Sequence, residues 1–175
     1  TSWGNWRVGV QAAWIETYEV EVRNSSGGVT VHDGVGNYNS TNPVARPLPE
    51  RKVNANLSWS MNDHRVFALL KYVDEVETDV PAGTRGFFAG TARLAGNDSV
   101  ADDLGDTKIE SFTTLDVQYT YSFGELGILN DSSLTFGVQN LLNEEAPHIA
   151  VVTAFDPRLH DGRGRIFFTR VSASM

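Results

Sequence analysis

Lys52-Val53-Asn54-Ala55-Asn56-Leu57-Ser58-Trp59-Ser60-Met61 alternates without a break: Val53, Ala55, Leu57, Trp59 and Met61 fall on one side, Lys52, Asn54, Asn56, Ser58 and Ser60 on the other. Period two over ten residues is the mark of a strand with one apolar and one polar face. The same period recurs on both sides of this stretch. Trp6, Val8, Val10, Ala12, Trp14, Tyr18, Val20 and Val22 are in phase, with Glu16 the exception. Leu115, Val117, Tyr119, Tyr121 and Phe123 alternate with Thr114, Asp116, Gln118, Thr120 and Ser122. Leu134, Phe136 and Val138 oppose Thr135, Gly137 and Gln139; Phe167, Val171, Ala173 and Met175 oppose Arg170, Ser172 and Ser174. From Arg65 to Glu77 the phase is ambiguous, because Phe67 and Leu69 compete with Ala68 and Leu70. No helical period of useful length is visible.

The pattern predicts an all-β chain of six strands, over 5–23, 50–61, 65–77, 110–123, 132–142 and 163–174. The connections alternate in length. Segments 24–49, 78–109 and 143–162 are long and rich in Gly, Asn, Asp or Pro, whereas Asn62-Asp63-His64 and 124–131 are short turns. An antiparallel up-and-down meander would therefore carry every long loop on one edge, as transmembrane β-barrels do. Trp3, Trp6, Trp59, Tyr121 and Phe123 fall on the short-turn edge, and Trp14 lies on the face of Trp6 toward the other. Aromatic rings with a polar tip belong at membrane interfaces. A soluble secreted β-sandwich, serving as a glycan-binding or structural module, is the other reading of the pattern.

Composition narrows the classes. The 175 residues are 41% apolar and 21% charged, ample for a folded domain. Asp and Glu number 22 against 14 Lys and Arg, for a net charge of −8, which is the wrong sign for a bulk nucleic-acid binder. The absence of cysteine excludes disulfides, thiolate metal sites and a cysteine nucleophile. The longest apolar run, Val66-Phe67-Ala68-Leu69-Leu70, is far short of the ~20 residues of a spanning helix. Thr1 is not an initiator methionine, and no signal-peptide pattern follows it, so the chain is expected to be processed or a fragment.

The last third, Phe136-Gly137-Val138-Gln139-Asn140-Leu141-Leu142-Asn143, then Asp156-Pro157-Arg158, then Gly162-Arg163-Gly164-Arg165-Ile166-Phe167-Phe168, resembles the closing strands of TonB-dependent outer-membrane receptors. In that family a strand ending in Asn-Leu-aromatic or Asn-Leu-Leu, then Asn or Asp, precedes the last loop, and Gly-Arg with apolar and aromatic residues opens the final strand. The resemblance extends more loosely over 48–123, from Leu48-Pro49-Glu50-Arg51-Lys52 onward. The family's terminal aromatic residue is Met175 here, and its plug domain and TonB-contacting segment have no counterpart within 1–175. The resemblance implies that 1–175 is the C-terminal segment of one barrel domain, the last six strands of a barrel of about 22. It implies a bacterial outer-membrane location and energised import of a scarce solute: a siderophore-metal chelate, a cobalamin-like cofactor or an oligosaccharide. Its partners would be that small-molecule or oligosaccharide ligand, the TonB complex acting through the plug, membrane lipid and lipopolysaccharide, and not nucleic acid.

No enzyme is expected: no nucleophile elbow, metalloprotease helix motif or phosphate loop is present, and no Ser–His spacing argues for an outer-membrane hydrolase. Neither a cofactor nor a resident metal is expected. His64 reads as a solvated turn residue, and His32, His148 and His160 as surface residues of external loops. Asn97, Asp98, Asp102 and Asp103 are hard oxygen ligands able to hold calcium, but their spacing matches no EF-hand, and a solvated acidic loop is the simpler reading. Glu144, Glu145, His148, Asp156, Arg158, His160, Asp161 and Arg163 give the last loop the mixed charge of a polar-ligand mouth, or of plain solvation. Lys52, Asn54, Asn56, Asp116, Gln118 and Gln139 are expected on the lumen face, since a charge toward mid-bilayer lipid costs ~2–4 kcal/mol. There they would line a substrate path or pair with plug and water.

Overall fold

The computed structural model describes residues 3–40 and 44–174. The chain is mostly β and antiparallel, with two short helices among the described residues. One sheet carries six strands in the order β1 (Asn5–Trp14), β5 (Arg51–Met61), β6 (His64–Val73), β9 (Phe112–Leu126), β10 (Leu129–Gln139) and β11 (Ile166–Ser174). Every neighbouring pair is antiparallel. The sheet is open, with β1 and β11 as its edges.

The register turns six alternating strands into two surfaces. Trp6, Trp59, Val66, Tyr119 and Phe136 stand opposite one another in turn, and Val8, Leu57, Ala68, Val117, Val138 and Phe167 form the next row. Cα partners in an antiparallel ladder point to the same side, so one face is apolar from edge to edge. Nothing among the described residues covers it: Trp6 is 60% exposed, Val8 70%, Phe167 73% and Val171 76%. Among the described residues the buried hydrophobics lie instead in the long connections, with Phe112, the first residue of β9, the one exception within the sheet.

The three long connections pack together into a cap at one end of the sheet. The first holds the hairpin β2 (Glu19–Arg23) and β3 (Val29–Asp33), then β4 (Asn37–Tyr38). The second holds β7 (Val76–Thr78), α1 (Ala82–Leu94), α2 (Asp98–Gly105) and β8 (Lys108–Ile109). β4, β7 and β8 form a small sheet of their own. The third contributes Ile149 and Leu159 to a core with Val76 and Ile109, and Ala150 to a second core with Val80, Ala89, Ala101 and Leu104.

Several expected boundaries are corrected. The strand expected over 5–23 is two strands. β1 pairs with β5 as far as Trp14 and Arg51, and Ile15 still donates to the Glu50 carbonyl at 2.9 Å. The next partner residue would be Pro49, which has no N–H to give, and the chain turns off into the β2–β3 hairpin. The strand expected over 65–77 ends at Val73, with 76–78 pairing in the cap as β7. β9 runs on to Leu126 and β10 begins at Leu129, so the turn expected over 124–131 shrinks to Gly127-Ile128, with Gly127 at φ +67. β10 stops at Gln139, where Asn140 turns left-handed at φ +51, and β11 starts at Ile166 rather than 163. The segment expected as loop over 78–109 contains both helices. α1 carries Gly83, Gly86 and Gly90 and buries only Ala89, so it has neither strong propensity nor a periodic apolar face. The expectation for Met175 lies outside the described residues.

Candidate functional site

The candidate site is the polar face of the sheet where it meets the cap. Two rows build it. Gln11, Asn54, Lys71 and Thr114 follow one another across β1, β5, β6 and β9, and Gly9, Asn56, Leu69 and Asp116 form the next row. Gln139, one residue beyond the Val138–Val117 pair, lies beside Asp116 on β10. Of the six residues expected on the lumen side, Asn54, Asn56, Asp116 and Gln139 come together here. Lys52, paired in register with Val73, and Gln118, paired with Phe67, occupy flanking rows of the same face.

Lys71 Nζ donates to Asp116 Oδ2 at 2.7 Å, and the backbone N–H of Asn140 donates to Asp116 Oδ1 at 2.9 Å. One carboxylate thus fixes a side chain of β6 and the exit of β10. A cavity of about 140 Å³ opens beside it, bounded by Thr114, Gln139, Asp161 and Arg163 with Phe112 and Leu159 as its apolar wall. Arg163 forks onto Asp161, Nε at 2.9 Å and Nη2 at 2.6 Å from its two oxygens. That guanidinium holds the Asp161 carboxyl below the usual carboxylate range. On the far side of Lys71 a wider hollow continues over Gln11, Asn54 and Asn56 to β1. The arrangement offers fixed donors and acceptors to a polar ligand.

The cap closes above through its third loop, and here two expectations change. His160, expected on the surface, is only 4% exposed. Its ring meets Phe112 edge-on at 5.4 Å, and its Nδ1 is buried without a hydrogen-bond partner. Burial, with Lys52 adding to it against Asp156, lowers its pKa to about 4. Asp156 is 1% exposed rather than solvated. Burial alone would raise its pKa, but Arg158 grips both oxygens at 2.7 to 3.2 Å and adds a backbone N–H at 2.9 Å, and the net effect is downward. Three residues converge at this junction because a short turn brings the His160 N–H back to the Asp156 carbonyl at 3.0 Å.

The remaining candidates are dispersed. Asn97 precedes α2 without a side-chain capping bond, and Asp98 opens that helix. Asp102 pairs with Arg93 at 2.7 Å, and Asp103 with His148 at 3.2 Å. No group of three or more metal-ligating side chains forms among the described residues, and Asn97, Asp98, Asp102 and Asp103 do not converge on a calcium site. The Glu144 N–H and carbonyl exchange hydrogen bonds with the Asn140 side chain at 3.0 and 2.8 Å, and Glu145 lines a surface hollow with His148. His32 is in β3 opposite Val20. His64 is not a solvated turn residue: it opens β6, its Nδ1 lies 2.6 Å from the Tyr119 hydroxyl, and its ring lies 5.1 Å from that of Tyr121.

Sequence reading missed Lys71, Thr114 and Asn140. Thr114 already shares the phase of Asp116 in its strand but carried no charge or amide to single it out; Lys71 would have followed had the β6 phase been resolved; Asn140 gave no separate signal beyond the Asn-Leu-Leu-Asn stretch. Comparison with protein-family models, with curated proteins and with solved structures found no match to this chain.

Proposed function

We propose that this chain is a wall segment, with its external loops, of a TonB-dependent outer-membrane receptor that imports a scarce solute. The observation that carries the proposal is the uncovered apolar face. Six antiparallel strands present it in register from edge to edge, while the chain's own core sits in the cap. Exposed apolar faces of this extent need a partner, and lipid is the partner that a twisted sheet of alternating strands meets over its whole surface.

The ends of the face support the same reading. Trp59 and Trp6 both donate their indole N–H to the Trp3 carbonyl, at 2.9 and 3.2 Å, and Tyr121 stacks edge-on against Phe123 near the short turns. At the cap end stand Trp14 and a polar cluster in which Arg51 and Tyr72 both donate to Asp74 at 2.7 Å. The eight residues between Trp6 and Trp14 give ~26 Å along the strand, or ~19 Å along the normal of a strand tilted ~45°, which suits the apolar band of such barrels. The two open edges are the places where further strands of a larger, 22-stranded barrel would add, since an unpaired edge invites pairing. In this reading the polar face lines the lumen, the cap faces outward, and import is driven by the TonB complex through a plug.

The test is the native size and location of the polypeptide in cell envelopes, probed with an antibody to 130–175 on heated and unheated denaturing gels. A heat-shifting outer-membrane band several-fold larger than 19.2 kDa is expected. A soluble 19.2 kDa band would instead establish the soluble β-module.

A further inference from the structure

We propose that the trough beneath the cap binds a neutral, polyhydroxylated ligand, an oligosaccharide chain laid across the strands; this rests on the receptor reading and narrows its cargo. The first ground is chemical. Gln11, Asn54, Asn56 and Gln139 make no side-chain hydrogen bond to any other described residue. Each amide presents a carbonyl acceptor and an NH₂ donor. Hydroxyl groups, which donate and accept, are the complement of such a surface. An apolar ligand would strip water from four amides and return nothing.

The second ground is charge. Lys71, Asp116, Asp161 and Arg163 are the ionised residues that line the two hollows, and they pair within themselves at 2.7 and 2.6 Å. The lining of the two hollows is electrically balanced, so an anionic chelate seated in them would have to break a pair to gain a cation, or reach past Asn54 to Lys52, one row nearer the cap. Arg7, Arg65 and Arg170 share the polar face but occupy the rows nearer the short turns.

The third ground is shape. The two hollows meet at Lys71 and run from β1 to β10, four strand spacings or ~19 Å. That is the form of a chain-binding groove rather than a compact pocket. Gly9 keeps it open: a Cβ there would stand 2.7 Å from Asn56 Nδ2 and push that amide aside. The cavity beside Asp116, about 140 Å³, has room for roughly five waters at a ~30 Å³ share each, which the hydroxyls of a sugar ring would replace. One row below, Phe67 and Phe168 flank Gln118 and Gly137, an apolar surface suited to the C–H faces of sugar rings.

The experiment uses the full-length protein purified from outer membranes in detergent. An array of neutral and anionic oligosaccharides, with a set of ferric hydroxamate and catecholate chelates, is titrated against wild type, against the Asn54→Ala/Asn56→Ala double variant and against Gln11→Ala, each first checked for heat-shifting mobility. The expected result is binding of a neutral oligosaccharide, weakened at least tenfold in the double variant and about threefold in Gln11→Ala, with the heat shift intact. Heat-shifting protein that binds no neutral saccharide, or binds one with affinity untouched by either variant, overturns the cargo assignment and leaves the receptor reading standing; the amides then serve the plug. Protein without a heat shift overturns the receptor reading itself.

Discussion

The imidazole of His160 meets the ring of Phe112 edge-on, 5.4 Å between centroids, and ties the last long loop to the first residue of β9. The contact is made by a neutral ring: burial holds its pKa at about 4, against an ordinary value of 6.5. The unfolded loop takes up a proton through the interval in which the folded loop refuses it. Stability is therefore complete above pH 6.5, falls as pH drops toward 4, and loses nothing further from this group below that. At pH 5 the loss is about 2 kcal/mol. Asp156 and Asp161, both held below the ordinary 3.8, stay ionised throughout that interval and lose their contribution only at lower pH. Amide protection in 149–160, the exchange rate divided into the intrinsic rate that itself falls with pH over this range, should be lower at pH 5 than at pH 7, and His160→Phe should abolish the difference.

Asp116 performs two tasks that substitution can separate. One oxygen accepts from Lys71 and the other from the Asn140 N–H. Asp116→Asn keeps an acceptor for the backbone bond and removes only a partly exposed ion pair, worth under ~1 kcal/mol. Asp116→Ala also leaves the buried turn at Asn140 without its anchor, a further ~1–3 kcal/mol. Denaturant unfolding of the two variants in detergent should give the larger loss for alanine, with the Asn140 amide exchanging faster in that variant alone.

How much of this was legible in the sequence depended on what fixed each feature. The apolar face was legible because alternation in β5 and β9 fixes which side each residue takes, and the polar residues Asn54, Asn56, Asp116 and Gln139 follow from the same phase. β6 was not legible, because Phe67 and Leu69 put apolar side chains on the polar face opposite Val66, Ala68 and Leu70, and Lys71 was lost with it. α1 was hidden by its three glycines and held by tertiary contacts of Ala89 and Phe88. The burial of His160 and Asp156 arises where three loops distant in sequence converge, and no local pattern records that. Loop composition alone reads such residues as solvated.

The two ends of the apolar face should differ from its middle in depth. Trp6 and Trp14 lie on one face, the first paired with Trp59 and the second with Arg51. In a bilayer both belong at headgroup level, on opposite sides. In single-tryptophan variants retaining either residue, lipids brominated near the glycerol should quench the fluorescence more than lipids brominated at the chain ends. A tryptophan introduced as Leu57→Trp should show the reverse order. Equal quenching by both lipids at all three positions would place the sheet outside the bilayer.

Neighbouring residues in mid-strand give the sharpest contrast, because Asn56 and Leu57 differ by one position and by the whole environment. Leu57 stands in the row of Val8, Ala68 and Val117, and Asn56 in the row of Gly9, Leu69 and Asp116. Arginine at Leu57 would face hydrocarbon near the middle of the band, at a cost of ~2–4 kcal/mol. Arginine at Asn56 would enter a wet, polar trough beside the Asp116 carboxylate, at a cost under ~1 kcal/mol. Reversible unfolding of the full-length protein in lipid vesicles should reproduce that order. In a soluble protein the order would invert or vanish, since Leu57 is 40% exposed and an arginine there would reach water. The pair of substitutions thus asks which solvent the apolar face meets, independently of whether any ligand has been found.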